Sequence, residues 1–249
     1  RDMSTFWLGI LGSTAAGMMA LIGGLPVFFF KKLSTELYSV FLAFSAGVMV
    51  SASFFSLLIP ALKTGNIFLV LTGIIAGTLF VHFADTKLPH EHFLKGKEGP
   101  AHPKLRGITL LFLAMTIHNF PEGMAVGVSF NESIATGISV ALGIGIQNIP
   151  EGMAVALPSR SIGYSPKKAF FLTFLSSIVE PIGGAIGATL VLIAKPFLPF
   201  LMSFAAGAML FVVSDEMIPE SHGGGRERKA SFSFIIGLVI MMALDVMLG

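Results

Sequence analysis

The sequence predicts an all-α integral membrane protein with eight transmembrane helices and both termini on the extracytoplasmic side. Three observations carry that expectation. Of its 249 residues, 54% are hydrophobic and only 12% charged, and the mean hydropathy is +0.84. A soluble domain normally has about a quarter of its residues charged. Eight apolar stretches each approach the roughly 20 residues that a helix needs to cross hydrocarbon. The basic residues gather in alternate loops. Residues 1–249 therefore read as a single membrane domain.

The stretches fall at about 5–30, 36–62, 66–85, 106–130, 133–157, 168–194, 196–220 and 230–248. The first is too long for a secretory signal and lacks the usual basic leader, so it reads as a retained helix. The sixth and seventh are nearly continuous, but "AKPFLP" places two prolines between them and breaks the helix there. Lys31 and Lys32 follow the first stretch, and Lys87, Lys95, Lys97, Lys104 and Arg106 the third. Arg160, Lys167 and Lys168 follow the fifth, and Arg226, Arg228 and Lys229 the seventh. These are thirteen of the 16 basic residues; only Arg1, Lys63 and Lys195 lie on the other side. Short positive loops stay cytoplasmic, which fixes an even number of spans with both ends outside. Gly73 and Gly77, Gly183 and Gly187, and Gly9, Ser13 and Gly17 form small-residue rows that let helices pack closely in lipid.

Composition also excludes some chemistry. There are no cysteines, so disulfides and thiolate metal sites are impossible, and a net charge of +2 is too small to point to nucleic acid.

The informative residues are the polar ones at depth. An ionisable side chain at the bilayer centre costs roughly 2.5–3.5 kcal/mol on insertion scales. Glu36, Glu91, Glu98, Glu132 and Glu227 lie in or beside loops and avoid that cost. His118 and Glu122 in the fourth stretch, Gln147 and Glu151 in the fifth, and Glu180 in the sixth do not. Asp215, Glu216 and Glu220 approach the end of the seventh. The fourth and fifth stretches repeat one phrase: "IHNFPEGMAVGV" from Ile117 and "IQNIPEGMAVAL" from Ile146. His118 and Glu122 are four apart on one helix face, as are Gln147 and Glu151. Asn119 and Asn148 stand three residues before the same glutamates, so each glutamate can bridge two ions. Pro121 and Pro150 are expected to bend and unwind their helices, freeing the carbonyls of Ile117 and Ile146. Gly123 and Gly152 keep the backbone adaptable beside each bend.

Imidazole, carboxylate and amide oxygen without thiolate suit zinc first, then iron(II), manganese or cadmium. Neighbouring carboxylates repel, and a divalent ion cancels that repulsion. The bland alternative is a polar clasp between helices, with His118 bonded to Glu151.

The doubled phrase, with "VEPIGG" in the sixth stretch, resembles the Zrt/Irt-like protein (ZIP) family of divalent metal transporters, in particular its compact bacterial members. The resemblance covers essentially the whole chain and implies one transporter domain in the plasma (inner) membrane, built as three, two and three helices with inverted repeats. It implies a first ion held by His118, Glu122, Gln147 and Glu151, with Met49 as a soft neighbour. A second ion would sit among Asn119, Glu122, Asn148, Glu151 and Glu180. Asp215 and Glu216 would form an exit-side pair, with Asp85 an acidic waypoint, and the chain would form a homodimer. Gln147 departs from the histidine common at that position, and Asp215 stands where some relatives carry histidine.

Function classes other than a carrier remain at this stage. A metal-selective channel would use the same residues. An intramembrane metallohydrolase would need an open metal position, and "HExxH" is absent. A pure metal sensor would need an output domain, and none is visible. No phosphate-binding loop for ATP occurs, so any transport is driven by a gradient. "LPHEHF" at 88–93, with His102, can collect metal in a loop or be plainly solvated. His82 reads as packing, His222 as a loop residue, and Asp245 has no role assigned by the sequence.

Overall fold

The computed structural model describes residues 2–92, 96–98 and 107–248. His102, Lys95, Lys104 and Arg106 lie outside them.

Helix α1 (Asp2–Gly24) continues as a 3₁₀ turn at Leu25–Phe28, where Pro26 ends the α-helical ladder. The second rod is α2 (Thr35–Ser51), a π-helical segment (Ala52–Leu58) and α3 (Ile59–Thr64). Helix α4 (Ile67–Lys87) leads into a short antiparallel hairpin of β1 (His90–His92) and β2 (Gly96–Glu98), with His90 opposite Glu98. Helices α5 (Gly107–Glu132) and α6 (Ile134–Ser161) follow. The sixth rod is α7 (Pro166–Ser177) and α8 (Val179–Ile193), interrupted at Ile178. The seventh is a 3₁₀ turn at Lys195–Phe197, α9 (Leu198–Val212), a second π segment (Val213–Met217) and α10 (Ile218–His222). Helix α11 (Glu227–Leu248) completes the chain. Ser34, Asn66, Ser133 and Ser165 cap α2, α4, α6 and α7 by accepting from backbone N–H groups two or three residues ahead.

Among the described residues, seven rods are long and apolar enough to cross a membrane. The remaining expected span, the fourth, coincides with α5, which has their length, 26 residues, and carries the first polar phrase at its centre. The break at "AKPFLP" stands where expected. The expected unwinding at Pro121 and Pro150 does not occur: α5 and α6 run through both as α-helix. A proline inside a spanning helix removes one ladder bond, and tightly packed neighbours keep the rest of the ladder in place. The irregular backbone lies instead at Ile178, two residues before Glu180, and in the two π segments.

The rods pack as two bundles. In one, α1 lies along α6 and α5 along α8, with α7 beside α1 and α6. In the other, α4 lies along α9 and α2 along α11. Glycine makes these pairs close. A Cβ on Gly152 would run into the carbonyl of Ala20, and one on Gly127 into that of Gly184. Likewise Gly77 meets the carbonyl of Phe204, and Gly47 that of Phe234. Across the seam between the bundles, Gly143 of α6 meets only the flexible side chain of Met241. Among the described residues no glycine meets backbone across that seam.

Exchanging the first three rods with the last three, and α5 with α6, maps each close pair onto another. That is the pattern of an inverted repeat. It exposes a second echo in the sequence: "SAGVMVSASFFSLLIP" from Ser45 and "AAGAMLFVVSDEMIP" from Ala205. Each contains a π segment that runs up to an Ile–Pro pair.

Candidate metal centre

The two phrases and Glu180 meet inside the first bundle. Helix α8 approaches α5 closely because a Cβ on Gly123 would strike the carbonyl of Glu180, and one on Gly183 that of Phe120. Gly17 of α1 leaves room for the Glu180 side chain itself. His118, Asn119, Glu122, Gln147, Asn148, Glu151 and Glu180 are all buried, with Glu122, Gln147 and Glu180 at 0% exposure.

The amides are committed as donors. Gln147 Nε2 donates to Glu122 Oε1 at 2.7 Å, and Asn148 Nδ2 donates to Glu180 Oε1 at 2.8 Å and to the Ala16 carbonyl at 2.9 Å. Asn119 Nδ2 donates to the Ser176 carbonyl at 3.0 Å. Each amide oxygen is thereby left as an acceptor. Among these seven residues, five buried oxygens have no hydrogen-bond partner: Asn119 Oδ1, Glu122 Oε2, Gln147 Oε1, Glu151 Oε2 and Glu180 Oε2. Such groups cost about 1–3 kcal/mol each when left unmatched, more if charged. All five are oxygens of carboxylates and amides, the kind of group that a cation can satisfy.

His118 does not clasp Glu151. Its Nε2 lies 2.5 Å from Glu216 Oε2 on the second π segment, so the contact crosses from one bundle to the other. The Ser45 hydroxyl of α2 also crosses, donating to the Gln147 carbonyl at 3.2 Å. Among the described residues, no three or more His, Cys, Asp or Glu side chains form a group that could hold a metal ion in this arrangement.

Met49 is fully buried on α2, one turn beyond Ser45. Asp215 is only partly buried, whereas its neighbour Glu216 is 1% exposed. Asp85 is buried on the last turn of α4. Four residues gain partners that sequence reasoning left unassigned. Ser45 bridges the bundles, and the Tyr38 hydroxyl donates to Glu220 Oε1 at 3.2 Å in a buried contact. Glu220 follows Glu216 by four residues, and that spacing was its only signal. Asp245 also acquires partners, accepting from Ser56 Oγ at 2.7 Å and Ser139 Oγ at 3.4 Å. His82 packs against the rings of Phe83 and Phe211, as expected. His222 bonds within its own helix end, to Ser221 and the Ile218 carbonyl.

Residues 82–245, which hold both phrases, Glu180 and Glu216, match the family of ZIP zinc transporters. The chain belongs to the ZIP zinc transporter family. It is 42% identical to the zinc transporter GufA of Myxococcus xanthus, over 97% of this chain and 99% of that protein. It is 34% identical to the human zinc transporter ZIP11, over 99% of this chain and 98% of the relative. With the zinc transporter ZIPB of Bordetella bronchiseptica it shares 35% identity over 96% of this chain and 81% of the other. ZIP proteins are multi-pass membrane transporters, and the rods described above fit that architecture.

Proposed function

We propose that this ZIP protein carries divalent transition-metal ions, zinc first and also cadmium and iron(II), through the plasma membrane of a bacterial cell into the cytoplasm. The single transporter domain, 1–249, holds two ions at mid-membrane and works as a homodimer, with no catalytic step. The observation that carries this reading is the set of five buried, unpartnered oxygens on α5, α6 and α8. The relatives named above, all zinc transporters, support zinc as the cargo.

The residues divide the task as follows. His118 supplies the nitrogen ligand, and Glu122 and Glu151 bridge the two ions. Gln147 and Met49 complete the first site; Asn119, Asn148 and Glu180 complete the second. Before an ion takes the imidazole, Glu216 must give it up, since the two are in contact. Glu216, with Asp215 beside it and Glu220 one turn further, then offers the next acidic group toward the cytoplasmic end. The ion is passed when one bundle slides against the other, a motion favoured by the glycine-tight packing inside each bundle and its absence across the seam. A metallohydrolase is the weaker reading, because HExxH is absent and a bridging carboxylate set leaves less room for an open metal position.

The test is zinc uptake into proteoliposomes by Glu122→Ala and Glu151→Ala. Each variant should lose at least about 100-fold in initial rate, since a bridging carboxylate serves both ions. Undiminished flux in both would end the assignment.

A further inference from the structure

The basic ends of the rods are of two kinds. At the start of α11 two of the three cations are paired within the protein. Arg226 Nε donates to Ser39 Oγ at 2.8 Å, Lys229 Nζ pairs with Glu36 at 2.5 Å, and Glu227 lies beside them in sequence. The other group has no such neutralisation. It comes from two segments, residues 25–34 after α1 and residues 157–172 between α6 and α7, and neither contains Asp or Glu.

These segments are far apart in the chain but stand on one small apolar core. Val27 is buried with Ala156, Leu157 and Ala169, and Leu33 and Phe170 pack against them. The rings of Phe28 and Phe170 are 5.6 Å apart. Lys31 and Lys32 from the first segment and Lys167 and Lys168 from the second are all exposed around this core. Arg160 turns inward to the Tyr164 carbonyl at 2.8 Å, and the Lys168 ammonium lies 4.0 Å from the centre of the Tyr164 ring. Next to the cations, Phe29 is 83% exposed and Phe30 62%.

We propose that this foot docks the headgroups of anionic phospholipids, with Lys31, Lys32, Lys167 and Lys168 facing the phosphates and Phe29 and Phe30 the upper acyl chains. Unneutralised cations beside a membrane span attract an anionic leaflet, and aromatic rings settle at the headgroup level. A soluble phosphate would use the cations and leave the two exposed phenylalanines unexplained. The foot belongs to the bundle that carries the metal centre, so anionic lipid would grip that bundle and leave the other free.

The experiment is lipid retention by the full-length chain, read by native mass spectrometry after release from bilayers mixing phosphatidylglycerol and phosphatidylcholine. A variant with Lys31→Gln, Lys32→Gln, Lys167→Gln and Lys168→Gln should retain phosphatidylglycerol more than about tenfold less well, the sum of several modest headgroup contacts. A control with Lys87→Gln, Arg228→Gln and Lys229→Gln should stay within about twofold of the parent. Phe29→Ser with Phe30→Ser should also weaken retention while keeping the cations. Equal losses in the foot variant and the control would overturn the proposal. So would displacement of the lipid by millimolar inorganic phosphate, which would mark a soluble-anion site. Thermal unfolding in detergent checks that every variant is folded; if the foot variant is not, the phenylalanine pair and the phosphate competition decide.

Discussion

HNFPEG on α5 and QNIPEG on α6 share four of six letters, and their backbones are treated alike. The glycine after each glutamate is pressed against a neighbouring helix, Gly123 at the carbonyl of Glu180 and Gly152 at that of Ala20. Their side chains part company at the first letter. His118 reaches across the seam to Glu216, while Gln147 stays at home and caps Glu122. The asparagines differ too: Asn119 bonds one carbonyl, whereas Asn148 bonds a carbonyl and Glu180. Near-identical words thus acquire different duties from their neighbours. By its leading side chain the first phrase reaches the other bundle, whereas that of the second closes its own.

The largest expected effect tests that division directly. His118→Ala removes the nitrogen ligand and its contact with Glu216 across the seam, so zinc uptake should fall about 100-fold. Gln147→Ala removes a weak amide-oxygen ligand and one hydrogen bond to Glu122 and should cost about tenfold or less. Equal losses in radioactive zinc uptake would erase the distinction. Next in size, Gly123→Ala and Gly152→Ala should each destabilise the protein by about 1–3 kcal/mol, because a Cβ has no space at either backbone contact. Unfolding midpoints in detergent should drop by matching amounts, and a tolerated substitution at only one would break the likeness. Smallest, Gln147→His makes the two phrases begin alike. Imidazole binds zinc better than an amide oxygen, so the half-saturating zinc concentration should fall several-fold, up to about tenfold.

Much of this was legible in the residues. The span pattern, the break before α9 and the doubled phrase follow from hydropathy, proline chemistry and the cost of burying a carboxylate. Other features left no readable trace. A π segment adds one residue without changing hydropathy. The two such segments differ in length, which shifts Ile59–Pro60 against Ile218–Pro219 and hides the echo between the second and seventh rods. Glu216 sits 98 residues from His118, and local spacing says nothing about a partner that distant. Asp245 finds its serines on two other rods for the same reason. The expectation of unwound helices at Pro121 and Pro150 treated each helix alone, and its neighbours hold it in shape.

The glycine contacts set where this molecule can shear. Advancing α4 along α9, or α1 along α6, by one residue would bring a side chain onto a carbonyl that now faces a bare Cα, so each such contact acts as a detent. At the boundary the glycine contact, Met241 on Gly143, is with a pliable thioether, which can change rotamer as the register moves. Among the described residues, a displacement of one helical turn, about 5.4 Å, therefore meets fewest glycine detents along this plane, and His118 and Glu216 stand on opposite banks.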